Sequence, residues 1–357
     1  MSTLRSFHDS HGGEYVKREG RPVVAHYGRP ERTHLAVRNG VGVMEQSYDV
    51  LVVTGDDRIE YVDNVVSNAI PATPGSGAYC LLLDPSGRIR FDLYVYTAAD
   101  RLLLFLPPGR VDDIVEEWRE RVFIQDVSFE VATADYALLT VTGPTAIEKL
   151  TSILDIDVPE TTFTFEQATI ADAGVTVIAT EGLTGEASYD IVCAQYDAEV
   201  VMDALVNLGP NAVPFGYRTW ETLTIEAGTP LLESELSGEL PNVVGIRNGL
   251  DFEKGCFVGQ EVVSRIENRG QPNERLVGLT LEALPEAGDT VLVDGEEAGR
   301  VTRAAQSPSR ETPIALAFLP YDYTDAPMTV DGSTASVSAL PFVEGSARSD
   351  RLPTYRS

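Results

Sequence analysis

The stretch Asp251-Phe252-Glu253-Lys254-Gly255-Cys256-Phe257-Val258-Gly259-Gln260-Glu261-Val262-Val263-Ser264-Arg265 carries the densest chemistry in the chain. A lysine, a thiol, two glycines, an amide and an acid fall between Lys254 and Glu261. The glycines permit a tight turn and a close approach by another group. Gln260 to Val263 reads as a first helical turn, with Gly259 at its start. Cys256 then lies just ahead of a helix N-terminus and beside the Lys254 charge. Both favour thiolate, so Cys256 is the candidate reactive cysteine. The competing reading is a Gly-rich turn around a buried thiol, since free cysteines commonly act as small core hydrophobes. Local chemistry leaves the two level.

Working outward, composition sets the frame. A chain of 357 residues can bury large cores and implies two or three domains. Acidic residues number 55 against 27 basic ones, a net charge of −28. The only lysines are Lys17, Lys149 and Lys254. Such a surface suits concentrated salt, where the Debye length falls to about 3 Å at 1 M and self-repulsion is screened. It argues against a nucleic-acid-binding face, which needs basic patches. No apolar run is long enough to span a membrane, and the polar N-terminus lacks a signal-peptide core. A cytoplasmic location is expected. Cys80, Cys193 and Cys256 show no CxxC or zinc spacing and are expected as free thiols. All four histidines precede residue 35, which weakens any serine or cysteine hydrolase reading. There is no P-loop and no HExxH, and Gly40-Val41-Gly42 lacks the third glycine of a dinucleotide site. No metal site is expected.

The elements interleave. Residues 1–34 read as an N-terminal arm. Asp49 to Thr54 is a buried strand, followed by a helix from Asp56 to Val66 with Asp56 as N-cap. Ala78 to Leu83 and Ile89 to Tyr96 flank the turn Asp84-Pro85-Ser86-Gly87-Arg88 and form a hairpin. A strand at 101–106, a helix at about 110–121 and a strand at about 127–131 follow. Tyr136 to Gly143 then repeats the strand–glycine layout of Leu51 to Gly55, and a helix, further strands and a second helix at 198–208 follow it. The repetition predicts two related lobes, at about 35–131 and 132–271. Arg218 to Ala227 is a helix stopped by Gly228. Residues 272–345 read as short strands of a small barrel. Residues 346–357 read as a polar tail. The fold class is α+β.

Lys254-Gly255-Cys256-Phe257-Val258-Gly259-Gln260-Glu261, with Arg265 downstream, resembles the YgfZ-type folate-binding proteins. These are relatives of the T-protein (aminomethyltransferase) of the glycine cleavage system. Further matches are the hairpin from Tyr79 to Tyr96, Thr184-Gly185-Glu186, Ile225 to Pro230 and the C-terminal barrel. The resemblance covers most of residues 35–342. It implies two folate-binding lobes forming a ring, then a β-barrel, with tetrahydrofolate in the central hole. It assigns folate contacts to Tyr79, Asp92, Glu186, Asp190, Gly255, Gly259, Gln260, Glu261 and Arg265. It assigns working roles to Cys256, Lys254 and Asp92.

T-proteins carry an acidic pair in the hairpin; here the first member is Phe91 and the second is Asp92. A carboxylate there can orient the folate nitrogens or stabilise positive charge on them. The T-protein pterin ligand is a glutamate, and Asp190 holds its place. Bidentate hydrogen bonding to an amide-rich ring is its expected role. Two arginines of the T-protein helix are replaced by Trp220 and Thr224. Three functions compete. The first is a folate-dependent protein supporting iron–sulfur cluster assembly through Cys256, with iron–sulfur proteins as partners. The second is an aminomethyltransferase using Asp92, with a lipoyl carrier protein as partner. The third is a module that binds folate only structurally. The cysteine-containing stretch favours the first.

Overall fold

The computed structural model describes residues 4–323 and 326–355. Two largely antiparallel sheets and a closed six-stranded barrel contribute to one shared core. The first sheet has the order Ser76–Leu83, Ile89–Thr97, Leu102–Leu106, Asp49–Thr54, Ser128–Val131. The second runs Phe165–Ile170, Ala173–Ala179, Ser188–Ala194, Tyr136–Thr142, Gly42–Gln46, Val213–Pro214. The predicted cut at residue 131 does not follow the sheets, because Gly42–Gln46 pairs with Tyr136–Thr142 in the second one. The two lobes therefore exchange chain near their start.

Each sheet is buried on both faces. The outer face of the first packs Leu51, Val53, Phe91, Leu93 and Val95 against the helices Arg58–Val65 and Val111–Arg121. The outer face of the second packs Leu139, Val141 and Ile191 against Ala198–Asn207. The inner faces, carrying Tyr79, Tyr94, Tyr96, Leu138 and Val192, meet in one cluster that extends to Leu316 and Phe318 of the barrel. The barrel closes six strands between Glu274–Leu281 and Ser333–Ser338.

Three expectations need correction. The N-terminal arm is packed into the fold over its described residues, 4–34. Leu4 and Phe7 are buried in the second lobe's core, and Glu14–Arg18 pairs with Arg21–His26. His8 is buried between Glu45 at 2.8 Å and the Tyr27 hydroxyl at 2.6 Å. Asp56 does not cap its helix, which runs Arg58–Val65 without a side-chain cap. Instead the Asp126 carboxylate accepts from Asp56 N, and Asp57 accepts from Asp126 N, tying this turn to a neighbouring loop. The polar tail is docked over its described length, 346–355. Ala347 N donates to Gly185 O, Asp350 N to Glu181 O and Thr354 N to Gly245 O. Tyr355 donates its hydroxyl to Val243 O and accepts from Leu276 N. The tail's approach requires Gly345, where a Cβ would lie 1.9 Å from Gly185 O.

Candidate functional site

Strand parity decides which acids face the interior. Successive strand residues point to opposite sides. On Ile89–Thr97, Phe91, Leu93 and Val95 belong to the outer core while Tyr94 and Tyr96 belong to the inner one. Asp92 is in register with the tyrosines and so points inward, where it is 8% exposed. On Ser188–Ala194, Ile191 and Cys193 face outward and Val192 inward. Asp190 shares the inward parity. Two carboxyls from two different sheets thus face the same interior.

Asp92 is ion-paired. Its Oδ2 accepts from Arg351 Nη1 at 2.7 Å and from the Tyr79 hydroxyl at 3.2 Å. Arg351 is 3% exposed and makes two further bonds, from Nε to Glu181 Oε1 at 2.7 Å and from Nη2 to the Tyr94 hydroxyl at 2.5 Å. Its guanidinium lies over the Tyr79 ring, 4.0 Å from the centroid. Glu181 also accepts from Tyr94 and, at 2.9 Å, from Asn248 Nδ2. The buried Asn248 Oδ1 has no partner. Burial pushes the Glu181 carboxyl up, and Arg351 pulls it back. Arg351, Glu181, Tyr94 and Asn248 were not among the predicted site residues.

Asp190 has no such cation. Its Oδ1 accepts from Thr140 Oγ1 at 2.5 Å. Burial raises its carboxyl to about 7, with the Glu181 charge adding to the rise and the Thr140 bond opposing it. Aromatic rings line the same interior: Tyr94 stacks on Tyr96 at 6.5 Å, and Phe163 and Phe165 sit 6.1 and 6.0 Å from Tyr94 and Tyr96. Two cavities share Gln46, Ser47 and Tyr48 at the edge of this space. One, of about 540 Å³, runs along Val50, Phe105 and Leu138. The other, of about 60 Å³, ends on Asp92 and Arg351. Aromatic walls, inward carboxyls and an unsatisfied amide oxygen suit a flat heterocycle with amide edges.

The stretch 251–265 does other work. Lys254 does not serve the thiol. Its Nζ donates to Asp63 O at 2.5 Å, Val66 O at 3.0 Å and Asn68 O at 2.9 Å, and pairs with Asp63 Oδ1 at 3.3 Å. A buried ammonium thereby satisfies the carbonyls at the end of helix Arg58–Val65. Cys256 is exposed, whereas Cys80 and Cys193 are buried and burial pushes both thiols to about 12. Gly259 has φ +80, and a Cβ there would lie 2.6 Å from Asp84 O, so this glycine seats the β-hairpin turn. Gly255 stands in open space. Gln260, Glu261 and Arg265 lie on the helix Gln260–Arg269, with Glu261 and Arg265 exposed.

Glu186, predicted to touch folate, is bound elsewhere. It accepts from Arg38 Nη1 at 2.9 Å and from Ser346 N and Oγ at 2.7 and 2.5 Å, and so anchors the tail. Arg38 also reaches Glu226, which is buried with His34. Burial pushes the Glu226 carboxyl up, but His34, Arg38 and Ser307 prevail and hold it at about 2. At Thr224 the guanidinium comes from the barrel: Arg303 Nη1 donates to Thr224 Oγ1 at 3.0 Å. Over Trp220 it comes from the N-terminal hairpin, with Arg18 5.2 Å from the ring centroid. Among the described residues no group of three or more His, Cys, Asp or Glu is arranged to hold a metal ion, and no helix is long and apolar enough to cross a membrane.

Residues 4–247 match the GCVT N-terminal domain, and residues 274–344 match the glycine cleavage T-protein C-terminal barrel domain. An aminomethyltransferase of Streptomyces avermitilis is 32% identical over 89% of this chain and 88% of its own length. A probable aminomethyltransferase of Natronomonas pharaonis is 30% identical over 94% of this chain and 97% of its own. The crystal structure of glycine cleavage system aminomethyltransferase T from Bartonella henselae superposes with a TM-score of 0.83, covering 96% of this chain and 97% of that one. At 22% identity, that likeness is one of fold.

Proposed function

Because the chain belongs to the glycine cleavage T-protein family, we propose that it is a tetrahydrofolate-dependent aminomethyltransferase that binds folate between its lobes. The observation that carries this reading is the pair of inward carboxyls, Asp92 and Asp190, across an aromatic interior. Relatives named as aminomethyltransferases at 30–32% identity support it. When bound, tetrahydrofolate supplies the nitrogen that accepts the one-carbon unit. Asp190 accepts hydrogen bonds from the amide edge of the ring, and the tyrosines and phenylalanines fix its plane. Asp92 offers negative charge where positive charge develops. The donor is an aminomethyl group on a lipoyl carrier protein. The test is titration with tetrahydrofolate by calorimetry, followed by an aminomethyl-transfer assay with a lipoyl carrier. Binding without transfer, or no binding, defeats the reading.

A second reading rests on one observation: Cys256 alone among the three thiols is exposed. It is the YgfZ-like role in supporting iron–sulfur enzymes. Cys256→Ser introduced into cells lacking the wild-type copy decides it; full iron–sulfur enzyme activity in that background removes the reading. The charge of −28 supports a third statement, that the fold is adapted to concentrated salt. Its thermal midpoint then rises from low salt to molar potassium chloride, and a flat midpoint rejects the adaptation.

A further inference from the structure

We infer that Arg351 is a positioning residue for the transfer step, so that the docked C-terminal tail completes the site around Asp92. The inference rests on the transferase reading and adds a residue that the hairpin motif does not contain. Asp92 lies within the strand Ile89–Thr97, with one carboxylate oxygen bonded to Arg351 and Tyr79. Arg351 is itself held from a second side by Glu181 and Tyr94, and its plane is set by the Tyr79 ring. A planar guanidinium with three separate donors engaged has one orientation, and it transmits that orientation to the carboxylate it binds. Asp92 and Arg351 both line the adjoining cavity.

Nothing in the covalent chain near Asp92 supplies this bond. It arrives across 259 positions of sequence, carried by a tail stapled to both lobes and the barrel. The tail's anchors are specific: Ser346 on Glu186, Asp350 on Glu181 and Tyr355 on Val243. Arg351 acts through Asp92, so its contribution is expected in the rate of transfer and not in the capture of folate, which falls to Asp190.

The test compares Arg351→Lys, Arg351→Gln, Asp92→Asn and the double variant Asp92→Asn/Arg351→Lys in the full-length protein, with tetrahydrofolate and an aminomethyl-loaded lipoyl carrier. Misplacement of a reacting group by about 1 Å costs on the order of 100-fold in rate, so kcat falls by about that factor in Arg351→Gln. Lysine keeps the charge but loses the fork, and Arg351→Lys recovers part of the rate. The KM for tetrahydrofolate stays within about threefold of wild type in both. The double variant is no slower than Asp92→Asn alone, because the arginine has nothing left to position. If Arg351→Gln does not fold, the lysine variant and the double variant decide. An unchanged kcat in Arg351→Lys, a loss confined to KM, or additive losses in the double variant overturns the inference. Wild-type protein that binds no folate and transfers nothing overturns the functional reading and this inference with it; wild-type transfer with an indifferent Arg351 overturns this inference alone.

Discussion

Asp92 and Asp190 occupy equivalent settings, inward positions on the sheets of the two lobes, yet their surroundings differ in one respect. Asp92 has a guanidinium at 2.7 Å, and Asp190 has a threonine hydroxyl. Burial penalises the charged form of an acid that lacks a partner. The first site has a cation brought from the far end of the chain, Arg351. The second has none, and the Asp190 carboxyl rises to about 7. The second acid, offset only by the Thr140 hydroxyl, keeps most of its burial penalty. The amide edge of a pterin, with its N–H donors, is a group that would relieve it.

The largest expected effect comes from removing the compensation. Arg351→Met leaves Asp92 and Glu181 buried without their cation. Breaking a buried pair in this way costs about 3–5 kcal/mol of folding stability. The corresponding change at the other site, Thr140→Val, removes a single hydrogen bond and costs about 1 kcal/mol. Denaturant midpoints of the two variants measure the difference directly. Equal losses would show that the Arg351 cluster is not the more strongly coupled of the two.

Binding separates the acids in the opposite sense. Asp190→Ala weakens tetrahydrofolate by about 1.5–3 kcal/mol, the worth of hydrogen bonds to a charged group. Calorimetry at fixed pH and salt reads this. Equal affinity in variant and wild type moves the folate elsewhere and dissolves the comparison.

How much of this was visible in sequence depends on how far each contact reaches. The barrel and the hairpin follow from local strand and turn patterns, whereas the exchange of Gly42–Gln46 into the second sheet leaves no local signal, and the motif match brings Asp92 and Asp190 forward. Their inward direction needed the sheets, because only the packed cores say which parity is inside. Arg351 was hidden for a physical reason: the tail has no periodicity, and its partners lie 170, 257 and 259 positions away. Glu181 follows a strand without a motif of its own. Lys254 misled by proximity. It is next to the Cys256 turn in sequence, but its ammonium is drawn to carbonyls 186 to 191 positions away, which a buried charge needs more than a thiol does. The N-terminal segment reads as an arm because its apolar anchors, Leu4 and Phe7, are too few to show a period.

The smallest effect is also the most diagnostic, because it uses the raised carboxyl itself. If ionised Asp190 accepts from the ring, folate affinity must grow as pH rises toward and through about 7. Below that value each pH unit costs about 1.4 kcal/mol, a factor of ten in affinity, because the ligand must first displace the proton. Above it the affinity levels off. The sign for the free protein is the reverse. A carboxyl raised in the folded state binds a proton that the unfolded chain has already released, so between the ordinary aspartate range and pH 7 its contribution to stability falls as pH rises. The groups that face Asp190 and can tilt this curve are Glu181, Tyr48 and Tyr96. Both phenols are pushed well above neutrality by burial, so neither titrates in this window. Asp190→Asn removes the ionisation and keeps one acceptor oxygen. Its folate affinity is expected to be lower than wild type at pH 8 and flat from pH 6 to pH 8, and its stability loses the decline over the same range. Wild-type affinity that is flat with pH, or a variant that keeps the slope, would place the titrating group elsewhere and leave Asp190 as an acid that is buried but not used.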